Sequence, residues 1–285
     1  MMLTVLEAIS SAAEYLGKKG IESARLNSEL LLAQTLHCKR LDLYLTFERP
    51  LQKNEIDTFR DLIKRRSKFE PLQYIIGKVE FFGIELEIDS SVLIPRPETE
   101  LLVETVLGEV KNIENPNILD IGSGSGNISI ALAKSLPRSH ITGIDISEDA
   151  IIISKRNAKI QQVEKQVTFV RRDIFSATDF NANQFDMIVS NPPYIPANDF
   201  EELAPELRLY EPKIALTDGD NGLNFYKKIS SLAKILLKKN GMIFFEIGIN
   251  QSESVKTILS ENNFLNIAIK KDYSDIDRII FGVKN

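Results

Sequence analysis

The stretch SNPPYI at residues 190–195 follows an apolar run that is typical of a buried strand. Two consecutive prolines fix the backbone twice and remove two N–H donors, so the Pro192 carbonyl is held rigidly and is free to accept a hydrogen bond. The Asn191 side-chain oxygen is a second acceptor. Two converging acceptors bind a planar –NH₂ group through both of its hydrogens. The Tyr194 ring can pack against the plane of that group.

This loop is suited to methylation of an amide or aryl amine nitrogen. The lone pair of such a nitrogen is delocalised, which makes it a poor nucleophile. Hydrogen bonds from both N–H groups raise its electron density and aim it at an electrophilic methyl group. When a sulfonium is the donor, the leaving group is neutral and no strong general base is required. Without a ligand, the same residues would only stiffen the exit of a strand.

A glycine loop is the second candidate for ligand binding. Residues 122–126, GSGSG, lie between a predicted strand at 117–121 and a predicted helix that begins at Asn127. Glycines let the backbone turn sharply and let a ligand approach the helix N-terminus. The G-x-G-x-G spacing is neither the dinucleotide fingerprint nor a P-loop. Taken alone, this loop also fits a tight turn that binds nothing.

Three acidic residues support the hypothesis that the glycine loop binds a cofactor. Asp145 ends the next predicted strand, roughly 20 residues beyond the loop, where a carboxylate can accept both ribose hydroxyls. Asp173 follows the third strand and can accept the exocyclic amine of adenine. Asp120, beside the loop, can meet a ligand ammonium directly or through water. Each alone fits a helix cap or a loop acid. Together they favour S-adenosylmethionine over NAD, because no cradle for a pyrophosphate is evident.

These loops need strands and helices that bring them together. Apolar strands are predicted at 117–121, 140–145, 167–172, 185–190 and 242–247, with helical segments between them. This alternation predicts an α/β fold, with a parallel sheet covered by helices on both faces. The last two strands, at 263–271 and 277–283, are too close for a crossover and should form an antiparallel hairpin. Seven such strands outline the Rossmann-like sheet of a class I methyltransferase dependent on S-adenosylmethionine.

The first part of the chain has a different pattern. Apolar residues recur at three- and four-residue spacing from Val5 to Leu16, and further helices are predicted at 23–37, about 40–46 and from Leu51 to Ile63. Residues 73–95 alternate apolar and polar side chains. We therefore predict a helical substrate-docking domain at 1–72, a β-hairpin linker at 73–95 and a methyltransferase domain at 96–285.

Composition excludes several classes of protein. The chain has 35 Lys and Arg against 40 Asp and Glu, a net charge of −5, so stable nucleic-acid binding is not expected. One cysteine, Cys38, and two histidines, His37 and His140, leave no Cys/His zinc cluster, and we expect no metal. No apolar run is long enough for a membrane span, and no signal peptide is evident. We expect a monomeric, soluble, cytoplasmic protein that does not bind membranes.

Taken together, these stretches resemble the PrmC/HemK family, which methylates the glutamine of the Gly-Gly-Gln motif in peptide chain release factors. The resemblance covers nearly the whole chain, with matching motifs at 73–100, 120–133, 191–195, 211–222 and 246–251. It implies transfer of a methyl group from S-adenosylmethionine to the side-chain amide nitrogen of that glutamine, with S-adenosylhomocysteine as the second product. Release factors would be the protein partners.

The resemblance also implies roles for individual residues. The loop Gly122, Ser123, Gly124, Ser125 and Gly126 would wrap the methionine part of the cofactor, Asp145 would hold the ribose, and Arg96–Glu100 would lie nearby. The substrate glutamine would be held by Asn191, Pro192, Pro193 and Tyr194. Of these, Asn191, Pro192 and Tyr194 are the candidate catalytic residues, and Asn191 is also counted as cofactor-binding with Asp173 and Ile174. Ile174 departs from the family pattern, because some relatives carry an aromatic residue there near adenine.

Three other functions remain open from the sequence. A ribosomal-protein glutamine methyltransferase has nearly the same motifs, and only its docking surface would differ. A DNA or RNA adenine methyltransferase also uses such a loop on an exocyclic amine, but the net charge and the lack of a target-recognition domain disfavour it. A scaffold that binds cofactor without catalysis would not need paired amide acceptors.

Overall fold

The computed structural model describes residues 3–110, 113–176 and 181–285. Within these residues the helices are α1 Val5–Lys18, α2 Ala24–Thr35, α3 Lys53–Arg66, α4 Leu72–Ile76, α5 Pro97–Glu109, α6 Asn127–Ser135, α7 Glu148–Ile160, α8 Pro205–Tyr210, α9 Lys213–Leu216, α10 Asn224–Leu236 and α11 Ser252–Glu261. The strands are β1 Lys78–Phe81, β2 Ile84–Glu87, β3 Asn117–Ile121, β4 His140–Asp145, β5 Val167–Arg171, β6 Phe185–Ser190, β7 Leu237–Glu246, β8 Phe264–Lys271 and β9 Asp277–Lys284. Arg40–Leu45 and Phe200–Glu202 form 3₁₀ turns.

The chain forms two compact units, and each of them is built from two separate segments of the sequence. One consists of Met1–Lys78 and Ala204–Tyr210, and the other of Val79–Leu203 and Glu211–Asn285. The first unit is helical, with a core that includes Val5, Ile9, Leu31 and Phe59.

Helix α8, although distant in sequence, belongs to the helical unit. The Arg66 guanidinium is almost fully buried and donates to Glu206 Oε1 at 2.5 Å and to Asn27 Oδ1 at 2.7 Å. The Tyr210 hydroxyl donates to the Lys68 carbonyl at 2.9 Å. A buried guanidinium needs such partners, because an unpaired charge in a core is costly. The segment Ala204–Tyr210 therefore completes the helical unit.

The predicted hairpin is shorter than its alternating pattern indicated. Residues 73–76, at the start of the predicted hairpin, belong to α4 instead of a strand, and Gly77, with a φ of +80°, ends this helix in the left-handed conformation. The hairpin is β1 and β2 alone. Its turn has positive φ at both central residues, Phe82 and Gly83, as a type I′ turn requires. Glycine thus ends a helix at one position and closes a hairpin at the other.

The second unit contains a seven-stranded sheet in the order β5-β4-β3-β6-β7-β9-β8. Strands β3 to β7 are parallel, and β9 pairs antiparallel with both of its neighbours. The predicted Rossmann-like class I methyltransferase sheet is confirmed. Strands β3, β4 and β6 have the predicted bounds, whereas β7 begins five residues earlier than predicted, at Leu237 rather than at 242.

The order of the strands fixes where a ligand can bind. From β3 the chain moves outward to β4 and β5, and then returns to place β6 on the other side of β3. Such a switch point leaves a crevice at the carboxyl ends of the two central strands. Ile121 pairs with Ser190 at this edge, and the Ser190 hydroxyl donates to the Ile121 carbonyl at 2.7 Å. The glycine loop and the SNPPYI loop therefore leave the sheet side by side.

Candidate active site

A crevice open to solvent lies at this edge of the sheet, and it encloses about 830 Å³ of space when the adjoining solvent at its mouth is included. The loops that follow β3, β4, β5 and β6 contribute to it. Its walls include Val92, Leu93, Gly122, Gly124, Asp145, Ser147, Asp173, Ile174, Phe175, Asn191, Pro192, Pro193, Pro212, Ile214 and Phe225.

The glycine loop folds back over the end of β4. The amides of Gly122 and Ser123 donate to the Ile144 carbonyl at 2.8 and 3.0 Å. Gly122 and Gly124 line the crevice, and a Cβ built on Gly122 would lie 4.0 Å from the Asn191 carbonyl oxygen. The two candidate loops therefore lie so close at this point that a single added methyl group on Gly122 would contact the other loop.

The other three residues of the loop lie away from the crevice. Ser123 and Ser125 are buried, and their hydroxyls have no hydrogen-bond partner in the described parts of the chain. Gly126 has a φ of +82°, and a Cβ there would come within 2.8 Å of the Phe169 ring. Gly126 is thus needed for the packing of α6 against the sheet.

Asp145 ends β4 and lines the crevice. Its carboxylate accepts hydrogen bonds from the amides of Gly124 and Ser147, both at 2.9 Å. Burial raises the pKa of Asp145, and these backbone hydrogen bonds partly oppose that rise. The residue organises the glycine loop while its remaining lone pairs face the crevice, where ribose hydroxyls can donate to them.

Asp120 is fully buried in β3, behind the glycine loop. The Ser129 hydroxyl donates to its Oδ2 at 2.6 Å, whereas Oδ1 has no hydrogen-bond partner among the described residues. Burial raises the pKa of Asp120 to about 7, against the opposing hydrogen bonds from Ser129. A buried carboxylate oxygen without a partner is costly unless something binds it. Asp120 does not itself line the crevice, so contact of this oxygen with the ammonium group of S-adenosylmethionine stays a prediction.

Asp173 and two aromatic side chains form the outer part of the crevice. The Asp173 carboxylate accepts from the Phe175 amide at 2.8 Å and from the Ser176 hydroxyl at 3.0 Å. The rings of Phe175 and Phe225 meet edge to face, with centroids 5.1 Å apart. Ile174 lines the crevice but is otherwise buried in the core of the sheet. Apolar rings around a carboxylate suit a heteroaromatic ring with an exocyclic amine.

Ile174 was a candidate from the sequence, whereas Phe175 and Phe225 were not. Phe175 lies two residues after Asp173, so its proximity in sequence to a candidate site residue could have indicated it. Phe225 directly follows the helix start at Asn224, just after the motif at 211–222. The segment with Pro212 and Ile214 also reaches the crevice, as do Val92 and Leu93 after the hairpin.

Asn191, Pro192 and Pro193 of the SNPPYI loop line the crevice. Asn191 Nδ2 donates to Thr99 Oγ1 at 3.1 Å, and Thr99 Oγ1 donates to Glu246 Oε2 at 2.7 Å. The Asn191 amide is thereby turned so that its nitrogen faces Thr99. Its oxygen and the Pro192 carbonyl accept no hydrogen bond from the described residues, and both residues line the crevice.

The motifs at 246–251 and 211–222 both contact Tyr194 of this loop. The Tyr194 hydroxyl donates to Glu246 Oε1 at 3.4 Å, and Gln251 Nε2 donates to the Tyr194 carbonyl at 2.9 Å. A Cβ on Gly222 would lie only 2.2 Å from that carbonyl oxygen. Tyr194 packs on the core of the sheet and does not line the crevice, so contact of its ring with a substrate amide stays a prediction.

Arg96, the residue before α5, forms an ion pair that stabilises the fold. Its guanidinium pairs with Glu211, whose carboxylate also accepts from the Ile94 amide at 3.4 Å. This buried carboxylate links the segment before α5 to the Pro212 wall of the crevice. Within the Arg96–Glu100 stretch, Thr99 accepts a hydrogen bond from Asn191 of the SNPPYI loop. Glu100 accepts from the Phe82 amide at 2.8 Å and holds the hairpin.

Across the residues that the structure describes, no helix is long and apolar enough to cross a membrane. Nor do three or more His, Cys, Asp or Glu side chains gather there as a metal site would require.

The sheet order, the glycine cradle and the acids at the strand ends define a class I methyltransferase that uses S-adenosylmethionine. Residues 7–77 match the family PrmC N-terminal domain, and residues 113–278 match the family Methyltransferase domain. The chain belongs to the release factor glutamine methyltransferase family.

The relatives that carry this assignment match over nearly the full chain. A release factor glutamine methyltransferase of Fusobacterium nucleatum is 42% identical, covering 98% of this chain and 78% of that protein. One from Geobacter sulfurreducens is 41% identical over 98% of this chain and 96% of its own length. A methyltransferase crystal structure from Pyrococcus furiosus has a TM-score of 0.51 at 16% identity, covering 72% of this chain and 90% of that one. This last likeness concerns the fold alone.

Proposed function

We propose that this enzyme methylates the side-chain amide nitrogen of a release-factor glutamine, and that Asn191 and Pro192 hold that amide. The glutamine is the one in the Gly-Gly-Gln motif that the family resemblance implies. One observation carries the residue roles: the hydrogen bond from Asn191 to Thr99 leaves the Asn191 oxygen, beside the Pro192 carbonyl, as an acceptor at the crevice. Both hydrogens of an incoming –NH₂ group then have a partner.

Bound S-adenosylmethionine supplies an electrophilic methyl group on a sulfonium. The residues of this chain supply orientation and polarisation. The Asn191 oxygen and the Pro192 carbonyl accept the two amide hydrogens, which draws electron density onto the nitrogen and fixes its direction of attack. The prolines keep both acceptors in place before the substrate arrives, so little reorganisation is needed.

The cofactor is held by the other walls of the crevice. Gly122 and Gly124 let the methionine part approach the backbone, and Asp145 accepts the ribose hydroxyls. Asp173, Ile174 and Phe175 line the same crevice and would hold the adenine. Ser123, Ser125 and Gly126 support this binding from below the loop rather than by direct contact, which agrees with their burial.

The helical unit docks the release factor. Its 3₁₀ turn at Arg40–Leu45 exposes Leu41 and Leu45, which are 69% and 85% accessible, as an apolar contact surface. The protein acts as a monomer in the cytoplasm, where release factors work, and makes no stable contact with nucleic acid. These parts of the proposal rest on the family resemblance and on the acidic net charge.

Methyl-labelled S-adenosylmethionine tests the proposal directly. The purified enzyme is offered a release factor, the same factor with the motif glutamine changed to alanine, a ribosomal protein fraction and duplex DNA. We expect label on the intact factor alone. Label on the ribosomal fraction alone would identify the sister activity, and label on DNA would identify an adenine methyltransferase. Label on the alanine factor would place the modification at another residue.

A further inference from the structure

We propose that Glu246 is a positioning residue that acts through Thr99 to set which end of the Asn191 amide faces the substrate. This inference rests on the proposed role of Asn191. It concerns two residues that do not line the crevice and that touch the substrate in no part of the mechanism above. The three side chains form a directed chain of hydrogen bonds, from Asn191 to Thr99 to Glu246.

The direction of this chain follows from counting hydrogens. A threonine hydroxyl has one hydrogen, and an ionised carboxylate can only accept. Glu246 Oε2 accepts a hydrogen bond from the Thr99 hydroxyl at 2.7 Å. The Thr99 oxygen can then offer only lone pairs to Asn191. Asn191 must then turn its –NH₂ group to Thr99, at 3.1 Å, and its oxygen to the crevice. The opposite orientation would present a donor to the donor hydrogens of the substrate amide.

Burial of the Glu246 carboxylate destabilises the folded protein, so a purely structural role would not explain its presence. The side chains of Thr99 and Glu246 belong to residues that are each 1% exposed. Burial of a carboxylate is unfavourable, and an apolar side chain at the end of β7 would pack without that penalty. The Tyr194 hydroxyl donates to the other carboxylate oxygen, and the Tyr226 hydroxyl donates to the Glu246 backbone carbonyl at 3.0 Å. Both hydrogen bonds of this carboxylate with described residues thus lead to the SNPPYI loop, one through Thr99 and one to Tyr194.

The direction of the hydrogen bonds from Asn191 through Thr99 depends on whether Glu246 is ionised. Burial raises the pKa of Glu246 to about 7, while the Thr99 hydrogen bond and Arg278 of β9 act to lower it and Glu98 of α5 acts to raise it. Tyr194 and the buried Tyr226 of α10 complete its surroundings. A protonated Glu246 can donate to Thr99, whose own hydrogen then turns to Asn191. That arrangement favours the wrong amide orientation, so turnover should rise as pH increases through about 7.

Substitution of Thr99 provides the sharpest test, because the same helix carries a matched control residue. Thr105 of α5 is also buried, and its hydroxyl donates to the Leu101 carbonyl at 2.6 Å, away from the site. Thr99→Val should lower kcat/KM on the order of 100-fold, as expected for a misplaced reacting group. Thr99→Ser should restore most of it, and Thr105→Val should leave turnover near wild type. Melting curves for Thr99→Val and Thr105→Val check that both variants fold.

A binding measurement separates orientation from a general loss of packing. Wild-type enzyme should bind a release factor with the motif glutamine more tightly than the same factor with glutamate there, because only the amide donates two hydrogens. In Thr99→Val the Asn191 amide can turn, so this preference should narrow, whereas in Thr105→Val it should persist. A Thr99→Val enzyme with wild-type kcat and an unchanged preference would overturn the positioning role.

Variants of Glu246 supply the pH test. Glu246→Gln can turn its amide oxygen to Thr99 and its nitrogen to Tyr194, so it should stay active but lose the rise in kcat near pH 7. Glu246→Leu should resemble Thr99→Val. A rise in kcat that persists unchanged in Glu246→Gln would contradict the proposal. An Asn191→Ala enzyme with full activity would refute the function proposed for the loop, whereas inactive Asn191→Ala with active Thr99→Val would refute only the role of Glu246 and Thr99.

Discussion

The Asp145 carboxylate accepts a hydrogen bond from the Gly124 amide at 2.9 Å, so the acid that faces the cofactor crevice also fixes the loop opposite to it. A second hydrogen bond from the Ser147 amide holds the carboxylate at the start of α7. Three elements, β4, the glycine loop and α7, therefore meet at one side chain. Its loss should affect cofactor binding both directly and through the shape of the loop.

Asp145→Ala should weaken the binding of S-adenosylmethionine by about tenfold or more, since hydrogen bonds to charged groups contribute roughly 1.5–3 kcal/mol. Titration calorimetry with S-adenosylmethionine and S-adenosylhomocysteine measures this. Asp149→Ala, an exposed acid in the first turn of α7, is the control and should bind as wild type. Unchanged affinity in Asp145→Ala would remove Asp145 from the cofactor site.

Asn191→Ala should lose most turnover while cofactor binding largely survives, because the side chain acts on the substrate amide. Loss of one such positioned group typically lowers kcat by about 10²–10³-fold. Single-turnover methylation of a release factor gives the rate, and calorimetry gives the cofactor affinity. Asn198→Ala, exposed in the same loop, is the matched control. Full activity of Asn191→Ala would exclude the assigned role.

Gly222→Ala should disturb the SNPPYI loop, because a Cβ at residue 222 would overlap the Tyr194 carbonyl oxygen at 2.2 Å. Gly219 offers a close comparison in the same turn. Its φ of +77° nearly equals the +78° of Gly222, yet a Cβ there meets no described atom within 4 Å. Both alanine variants carry the same backbone strain. We expect a loss of kcat in Gly222→Ala well beyond that of Gly219→Ala, and equal losses would show that only backbone strain matters.

Phe175→Ala should weaken cofactor binding with little effect on stability. The Phe175 side chain lines the crevice and is 49% exposed, so the folded state gains little from it when no ligand is bound. An aromatic contact of this kind contributes about 0.5–1.5 kcal/mol beyond area burial. Leu265→Ala, at a similarly exposed site on β8, should leave both quantities unchanged. A large drop in melting temperature for Phe175→Ala would indicate a structural role instead.

Glu246 should also give the stability of the enzyme a distinct pH dependence. Because its pKa of about 7 in the folded protein lies above the ordinary value of 4.5, the folded state binds the proton more tightly. The contribution of Glu246 to stability therefore falls as pH rises from 4.5 to 7, by about 3 kcal/mol. Glu246→Gln lacks this loss. Asp120, also with a pKa of about 7, titrates in both proteins and cancels in the comparison.

Urea unfolding of wild type and Glu246→Gln at pH 5 and pH 8 measures that difference. Wild type should lose stability relative to the variant between the two values. Parallel pH profiles for the two proteins would mean that Glu246 has an ordinary pKa in the folded state.

The sequence predicted what local patterns determine and missed what tertiary contacts determine. Strand β3 and its glycine loop were predictable, because an apolar run followed by glycines leaves few alternatives. The contact between Thr99 and Asn191 was not, since 92 residues separate them and no periodic pattern relates the two. The contact between the rings of Phe175 and Phe225 was not predictable either, because it depends on how the loop after β5 and the first turn of α10 are placed. Residues 73–76, which the sequence pattern placed in the hairpin, instead form part of helix α4, which ends at Gly77.

Helix α8 sets a limit on how this protein can be divided. Cleavage after Lys78 would release a fragment that contains Arg66 but not its partner Glu206, and would leave α8 attached to the other fragment. Neither product would be one of the two compact units, and the buried guanidinium would keep an unpaired arm. The helical unit is therefore not a module that recombination could add, remove or exchange with a single crossover. Any such exchange would have to carry two separate stretches of the gene together.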